Sequence, residues 1–488
     1  MSDTPTRPAD TAASAPPNPN VIVAVLAFAG IVVSLMQTLV IPIVPELPNY
    51  LNASASDTAW AVTATLLAAA VATPIAGRLG DMYGKRRMLL TSLAMVTAGS
   101  FVVALSDSLT PMIIGRLLQG LSAGVIPLGL SIMRDEMPAE RLGTSTALMS
   151  ASLGVGAALG LPIAAFVADN FDWHSLFWAS GILGALSLVL VLVLVPESKV
   201  RSGGRFDLVG GVGLAAGLVS LLLAISKGGD WGWGSGTTLG LFAAAVVILV
   251  AWGFFELRSS QPLVDLRTTA KPQVLFTNLA GLAFGFSLFA LQLIVPQIMQ
   301  LPKETGYGLG EDLLAVGLVL APQGVVVMIA APLSSKITKA FGAKYTLMIG
   351  AVIVAAGYAL NIFMMSEVWQ LVLISCIVGA GVGFAYGALP TLIMSAVPVS
   401  ETGSANAVNT LLRAIGSSLA SAACGVIVSQ MTTDFGGHAL PSENSFKVIM
   451  GIGCGAALLA LFLASFLPRL RAGVTAHGAT AETAPQKA

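Results

Sequence analysis

The chain has 488 residues, of which 56% are hydrophobic and only 10% are charged, and its 24 basic residues balance its 24 acidic residues. Soluble globular proteins carry about 25% charged residues, so too few charges remain here to cover the surface of a large soluble enzyme. A nucleic-acid-binding protein would need a basic excess, and a disordered chain would be far less hydrophobic. The composition therefore predicts that lipid surrounds most of the chain.

The three cysteines, Cys376, Cys424 and Cys454, lie far apart in long apolar runs, and the chain has only three histidines. Disulfide frameworks and metal clusters need more such residues at closer spacing. The sequence also lacks the G-x-x-x-x-G-K-[ST] loop of nucleotide-binding sites. We therefore predict no metal, no cofactor and no ATP-driven pumping by this chain alone.

Polar segments begin and end the chain, at 1–20 and 468–488. The first is rich in Pro, Ala and Thr and lacks the basic-then-apolar form of a signal peptide. We predict that both segments are disordered tails, and that the first apolar run is retained as a membrane span.

Between the tails, continuous apolar runs are long enough to cross a bilayer as helices, which takes about 20 residues each. Their continuity excludes β-barrel strands, in which apolar and polar residues alternate. We predict an all-α polytopic membrane protein with fourteen transmembrane helices, near 21–43, 58–79, 88–106, 110–133, 143–168, 174–195, 207–226, 237–255, 274–299, 313–335, 345–364, 369–396, 403–429 and 447–467. The seventh and eighth runs are rich in glycine, so one re-entrant pair is the alternative there.

Lysine and arginine concentrate on the cytoplasmic side of membrane proteins. With a cytoplasmic N-terminus, 19 of the 24 basic residues fall in inner segments, because Lys227, Lys303 and Lys447 are outside and Arg116 and Arg413 are within spans. We therefore predict a multi-pass protein of the plasma membrane with both termini in the cytoplasm. The even number of spans agrees with this orientation.

The spans divide into six, two and six. We predict an N-terminal six-helix bundle over 21–195, two extra helices with their linkers over 196–273 and a C-terminal six-helix bundle over 274–467. Charges alternate with apolar residues in 256–273, which favours a short helix at the membrane surface. Two facing bundles are the layout of an alternating-access carrier.

The short inner loop after the second span reads GRLGDMYGKRRM over 77–88. Gly77 permits close helix packing, Asp81 is a carboxylate at the membrane boundary, and Gly84 allows a tight turn. Three basic residues follow, which are Lys85, Arg86 and Arg87. A plain basic loop with one stray acid is the alternative interpretation.

This loop resembles the signature of the major facilitator superfamily, and the whole chain between its tails resembles the fourteen-helix drug:proton antiporters of that superfamily. Two intramembrane arginines are similarly placed: Arg116, in GRLLQGLSAG with Gln119, and Arg413, in NAVNTLLRAIG. The resemblance implies proton-coupled export of small amphipathic compounds, with small molecules, protons and lipid as partners and a monomer as the working unit.

Other positions match the family only in part. The fifth span, SLGVGAALGLPIAAF, keeps Gly156 and Gly160 of the antiporter motif, but Leu161 separates Gly160 from Pro162. In the first span Met36 stands where family members that export cationic drugs often have an acid. This departure argues against dications as preferred substrates. In the second half, Lys339 stands at the position equivalent to Asp81.

The resemblance assigns a conformational latch to the loop. Asp81 would face the positive N-terminal end of the helix that starts near Gly403. With Lys85, Asp135 and Glu136 it would close the inner side and release as the halves rock. A fixed ion pair without mechanical function is the alternative.

Arginines within a membrane are costly and should face a cavity or a partner. For Arg116 with Gln119, and for Arg413, a substrate or coupling site competes with a structural arginine bonded to backbone carbonyls. Glu46, at the outer end of the first span after Pro42 and Pro45, is a candidate proton carrier that would pair with Arg116. A plain surface carboxylate is the alternative for Glu46.

Polar and aromatic residues in the cavity-lining spans are candidates for a substrate pocket. Each could instead make an interhelical hydrogen bond. They are Gln37, Gln119, Asn278, Phe286, Gln292, Gln323, Tyr386, Asn406 and Asn409.

Three functions remain open. The first is proton-driven drug efflux, and the second is export or import of one specific metabolite by the same fold. The third is a polytopic membrane enzyme or sensor, which the lack of clustered catalytic residues and of a soluble domain disfavours. We predict that the protein is not an enzyme.

Overall fold

The computed structural model describes residues 18–40, 43, 46–436 and 438–468. The two predicted tails therefore lie almost wholly outside the described residues, as do Pro42 and Pro45. Eighteen α-helices form within the described residues. They are α1 (Pro19–Thr38), α2 (Leu47–Leu51), α3 (Ala55–Thr58), α4 (Trp60–Tyr83), α5 (Lys85–Ala104), α6 (Leu109–Gly120), α7 (Val125–Glu136), α8 (Ala139–Asn170), α9 (His174–Leu194), α10 (Leu208–Trp231), α11 (Gly236–Arg258), α12 (Leu266–Thr269), α13 (Pro272–Gln300), α14 (Leu313–Phe341), α15 (Ala343–Asn361), α16 (Val368–Met394), α17 (Thr402–Gln430) and α18 (Glu443–Ser465).

Fourteen spans in the described part of the chain are long and apolar enough to cross a membrane. Helices α6 and α7 form one of them, joined by the 3-10 turn Leu121–Gly124. The prediction of fourteen transmembrane helices is confirmed, and their order is consistent with a division into six, two and six. The spans near 207–226 and 237–255 are two separate helices of 24 and 23 residues rather than a re-entrant pair.

The extra helix α10 packs against one helix from each half of the molecule. Leu214, Leu218 and Leu222 of α10 share an apolar cluster with Ala70 of α4 and Leu411 of α17. Nearer the other end of α10, the Lys227 ammonium lies 5.7 Å from the centre of the Trp60 ring of α4. Helix α10 therefore lies over the α4/α17 seam between the halves.

The linker after α11 contains one short helix, the single turn α12. Leu263 and Val264, just before it, are buried in the apolar cluster that α10 forms with α4 and α17. Asp265 caps this turn. Partial burial raises the pKa of Asp265, but hydrogen bonds from Thr268 and from the backbone N–H of Arg267 outweigh that effect and lower it.

One element is not helical. The strands β1 (Thr432–Phe435) and β2 (His438–Pro441) pair as an antiparallel hairpin between α17 and α18. The Tyr307 hydroxyl donates to the Pro441 carbonyl oxygen over 2.6 Å, which ties the hairpin to the segment that joins α13 and α14. The predicted all-α fold is thus correct for the spans and omits this hairpin.

Candidate gate and central site

The Asp81 carboxylate joins the two halves of the molecule. Its Oδ1 accepts the backbone N–H of Gly403 over 3.1 Å, and its Oδ2 accepts that of Ser404 over 2.7 Å. Asp81 is 0% exposed. The first N–H groups of a helix lack partners inside the helix and carry positive partial charge. Asp81, near the C-terminal end of α4, therefore caps α17, and both of its carboxylate oxygens accept N–H groups of that helix.

Glycines let α4 and α17 meet closely enough for these bonds. A Cβ at position 77 would lie 2.7 Å from the Gly403 carbonyl oxygen, and a Cβ at position 403 would lie 2.7 Å from Asp81 Oδ1. Neither distance is compatible with ordinary side-chain contact. The glycines of the loop motif and of the helix start thus belong to one structural unit, which we call the gate: Gly77, Asp81, Gly403 and Ser404.

Gly403→Ala should open the gate. The added methyl group collides with the Asp81 carboxylate, and overpacking of this kind costs about 1–3 kcal/mol. We expect transport by Gly403→Ala to fall about tenfold, which corresponds to roughly 1.4 kcal/mol. Gly425→Ala is the matched control on the same helix, because nothing lies within 4 Å of a Cβ there. Equal transport by the two variants in vesicles would contradict the gate.

The predicted latch residues divide into two groups. Lys85 Nζ lies 2.5 Å from Asp135 Oδ2, and both side chains are at most 2% exposed. The Ser198 hydroxyl donates to the same oxygen. This buried pair joins α5 to α7 within the N-terminal half, and Glu136 is half-buried beside it. The structure therefore brings Asp81 to α17 and places Lys85 with Asp135.

The remaining loop residues meet Glu197, which the sequence analysis did not single out. Glu197 Oε1 accepts the Arg86 backbone N–H over 3.3 Å, and Oε2 lies 3.9 Å from Arg87 Nε. The Arg86 guanidinium donates to the Leu192 carbonyl oxygen. Gly84 has φ +123°, a conformation that side-chain-bearing residues rarely adopt. This backbone conformation explains why glycine occupies position 84, in the turn between α4 and α5.

Arg134 is a second missed residue, and it bridges the halves beside the gate. Its Nη1 donates to Thr402 Oγ1 over 2.7 Å, and its Nη2 donates to the Val397 carbonyl oxygen over 3.0 Å. At the other seam, Thr144 Oγ1 and Ser335 Oγ are 2.9 Å apart, and Lys339 Nζ donates to the Glu140 carbonyl oxygen. Polar contacts therefore join the two halves at both seams on the side of the molecule where the gate lies.

Arg116 is 1% exposed and bonds mainly to backbone. Its Nε donates to the Ala61 carbonyl oxygen over 2.9 Å, and its Nη1 donates to the Met36 carbonyl oxygen over 3.1 Å and to Gln119 Oε1 over 2.6 Å. Gln119 in turn donates to Ser100 Oγ over 2.8 Å. This geometry matches the structural alternative for Arg116.

Glu46 lies apart from this network. It is exposed ahead of α2 and accepts a hydrogen bond from Asn49 Nδ2 over 3.1 Å. The structure does not bring Glu46 and Arg116 together. Their predicted pairing is therefore absent from this structure.

Arg116→Gln should destabilise the protein. The shorter, neutral side chain takes the Arg116 donors away from the buried Met36 carbonyl oxygen and from Gln119 Oε1, at about 1–3 kcal/mol for each group left unsatisfied. We expect a clearly lower melting temperature for the detergent-solubilised protein. Arg258→Gln is the control, since Arg258 is exposed at the end of α11. A melting temperature unchanged by Arg116→Gln would argue against this role.

Near mid-depth, four candidates from three helices form a group that we call the central cluster: Asn278, Tyr386, Asn409 and Arg413. The Arg413 guanidinium lies 4.4 Å from the centre of the Tyr386 ring, a cation–π geometry. Asn409 Nδ2 donates to Asn278 Oδ1 over 3.0 Å. Arg413 Nη1 also reaches Ser150 Oγ of α8, at 3.3 Å. The central cluster thus contacts both halves.

The other pocket candidates fall outside the central cluster. Asn406 donates to the Thr402 carbonyl oxygen of its own helix, which is a structural bond. Gln323 is 2% exposed, and neither of its amide atoms has a partner among the described residues. Gln37, Phe286 and Gln292 are half-buried.

The glycines of the fifth span serve close helix packing. A Cβ at position 156 would lie 2.5 Å from the Ile31 carbonyl oxygen, and one at position 160 would overlap Thr38 Oγ1 at 1.8 Å. Pro162 instead faces the C-terminal half, because a Cβ at Gly317 would lie 2.5 Å from Pro162 Cα. Helix α8 thus packs against α1 on one side and against α14 on another.

Comparison with known proteins identifies the family. The sequence pattern of the Major Facilitator Superfamily matches residues 26–421. The chain belongs to this superfamily. This transporter is 26% identical to multidrug resistance protein 3 of Bacillus subtilis (strain 168) over 385 residues. The aligned region covers 77% of this chain and 73% of the relative. It is 27% identical over 418 residues to the tetracenomycin C resistance and export protein of Streptomyces glaucescens, covering 84% and 76%.

A solved structure has the same fold. The human organic anion transporter MFSD10 (TETRAN) superposes on this transporter with a TM-score of 0.65 at 16% identity, covering 92% of this chain and all of that one. At such low identity the likeness concerns the fold alone. The predicted family and fold are both confirmed.

Proposed function

We propose that this transporter is a secondary-active exporter of small amphipathic organic compounds, driven by the proton gradient. It would act as a monomer in the plasma membrane, with both termini in the cytoplasm. The observation that carries the proposal is the gate, in which one buried carboxylate binds the start of a helix from the opposite half. Two short hydrogen bonds and a charge–dipole attraction close the inner side and can be released as a unit.

The relatives support the direction of transport and the kind of substrate. Their names describe multidrug resistance and the export of tetracenomycin C, and the family match over residues 26–421 includes both the gate and the central cluster. The basic residues at the inner segments support the proposed orientation.

The central cluster supports a preference among substrates. Arg413 is 5% exposed, and no acidic side chain forms an ion pair with it among the described residues. A buried cation of this kind attracts anionic, zwitterionic or hydrogen-bond-accepting compounds and repels cations. Met36 in the first span is buried. Family members that export cationic drugs often have an acid at this position, so Met36 also supports a preference against cations.

Proteoliposomes with an imposed proton gradient test the function directly. We expect an interior-acid gradient to drive accumulation of an amphipathic dye, with dye-stimulated proton release. Dye movement that does not respond to the gradient would contradict proton coupling. The absence of both dye movement and proton release would favour a membrane enzyme or sensor. A panel that finds only one transported compound would favour the alternative of a single-metabolite carrier.

Glu46 is the proposed external proton acceptor, because it is the exposed acid at the outer end of the first span. We expect Glu46→Gln to flatten the dependence of transport on external pH while leaving downhill dye movement intact. The exposed Glu304 supplies the control variant, Glu304→Gln. An unchanged pH dependence in Glu46→Gln would remove this role.

A further inference from the structure

A deep apolar groove runs along the outside of the N-terminal half, where α1 and α8 meet α14. Its volume is about 640 Å³. The walls are apolar side chains of the three helices, including Val23, Ala27, Phe28 and Ile31 of α1, Leu148 of α8 and Met328 of α14. The α1 residues recur every three or four positions, so they form one continuous stripe. The gate and the central cluster do not use this groove.

The length of the groove fits one leaflet of a bilayer. It extends along α1 from Asn20 to Ile31, a rise of about 16 Å at 1.5 Å per residue. The hydrocarbon of one leaflet is about 15 Å deep, half of a 30 Å core. Asn20 lies at the inner end, so an acyl chain of the inner leaflet would fill the groove along its full length.

The inner end of the groove is polar and carries two cations. Arg141 lines it and is exposed, and its Nη1 donates to Asn20 Oδ1 over 3.0 Å. Lys339 reaches the same end, because its Nζ donates to the carbonyl oxygen of Glu140, another lining residue. Arginine carries five N–H donors and lysine three, so both retain donors for a phosphate.

The two cations come from opposite halves. Arg141 belongs to α8 of the N-terminal half, and Lys339 belongs to α14 of the C-terminal half. Among the described residues that line the groove, Glu140 is the one acidic residue. A single anion between Arg141 and Lys339 would therefore link the halves at the α8/α14 seam. Helix α10 lies over the α4/α17 seam, whereas Met328 at the α8/α14 seam is 47% exposed.

We propose that the groove is a binding site for an anionic phospholipid of the inner leaflet. One acyl chain lies along α1, and the phosphate lies between Arg141 and Lys339. Basic rims on the cytoplasmic side of transmembrane helices bind such headgroups. The bound lipid stabilises the inward-closed arrangement, because it adds a link between the halves at the seam opposite the gate. The site does not depend on which compound the protein transports.

Native mass spectrometry of the full-length protein in mild detergent tests the site. The added lipids are dioleoyl phosphatidylglycerol and dioleoyl phosphatidylcholine, which differ in headgroup charge and share acyl chains. Two cations near an anionic lipid predict about a thirtyfold preference for phosphatidylglycerol. The double variant Arg141→Gln/Lys339→Gln should lower that preference to near parity, and Arg258→Gln should leave it intact.

The groove variant Ala27→Trp separates the site from general charge attraction. The indole occupies the acyl-chain path, so retention of both lipids should fall while the preference for phosphatidylglycerol over phosphatidylcholine persists. Equal retention of the two lipids by the wild type would overturn the proposal. So would an unchanged preference in the double variant, an equal loss of preference in Arg258→Gln, or full lipid retention in Ala27→Trp.

Discussion

Asp81→Asn should abolish most transport while the protein still inserts and purifies normally. The amide retains the shape of the carboxylate but loses its charge, and its nitrogen cannot accept the second N–H from α17. A charge at a partly buried helix N-terminus contributes up to about 2 kcal/mol. We therefore expect the ratio of inward-closed to inward-open protein to fall about thirtyfold and dye efflux to fall about tenfold.

Efflux from cells that contain equal amounts of membrane-inserted protein checks this result. The exposed Glu304 again supplies the control, because Glu304→Gln removes a carboxylate far from either seam. Asp81→Glu offers a second comparison, since it restores the charge but adds a methylene where Gly403 leaves no space. Wild-type efflux in Asp81→Asn would mean that the contact with α17 is only structural.

Arg413→Gln should remove most substrate affinity from the central cluster. The guanidinium is buried over the Tyr386 ring and faces Ser150 of the other half. A charge-assisted hydrogen bond from the guanidinium to a bound anion is worth about 2 kcal/mol, and the uncharged glutamine amide cannot supply it. We expect an anionic amphipathic dye to bind about thirtyfold more weakly. The affinity for a cationic dye of similar size should fall much less.

Tyr386→Phe is the matched control, because it keeps the ring beneath Arg413 and removes only the hydroxyl. Its affinity for the anionic dye should stay close to that of the wild type, whereas Tyr386→Ala should resemble Arg413→Gln. Dye binding measured by fluorescence polarisation on purified protein, with melting temperature in parallel, separates binding from folding. Equal losses for both dyes in Arg413→Gln would show that the arginine supports structure instead of selecting substrate.

The sequence was sufficient for the spans because each needs only a long apolar run, and a bilayer leaves helices as nearly the only solution. It was also sufficient to connect Asp81 with the start of α17, through the family resemblance. It could not assign the partner of Lys85. Three acids lie near that lysine, which are Asp81, Asp135 and Glu136. Only the packing of α5 against α7 determines that Asp135 forms the ion pair with it.

Other residues were missed because their partners lie far away in the chain. Arg134 contacts residues 397–402, and Glu197 closes the loop at residues 84–87, more than 100 positions earlier. Nothing in the local sequence distinguishes either from an ordinary boundary charge. The hairpin of residues 432–441 was missed for another reason: it is a short polar stretch between two spans, without the alternation that predicts strands.

The sequence also did not predict where the extra helices pack. Residues 208–258 show no charge in the interiors of their apolar runs, which is typical of any span facing lipid. Only the structure places α10 across α4 and α17 and brings the linker before it to the gate, where the Ser202 N–H donates to the Asp81 carbonyl oxygen over 2.8 Å. Helix α10 thus lies over the seam between α4 and α17 at which the gate is located.

Pulsed electron paramagnetic resonance across the inner α4/α17 seam tests the central claim most directly. Spin labels at Tyr83 and Val399, both exposed, would be attached after Cys376, Cys424 and Cys454 are replaced. The gate predicts that the wild type in lipid nanodiscs populates a short inward-closed distance and that Asp81→Asn shifts the distribution to a longer one. The same distance distribution in wild type and Asp81→Asn would contradict the claim that Asp81 holds the inner side closed.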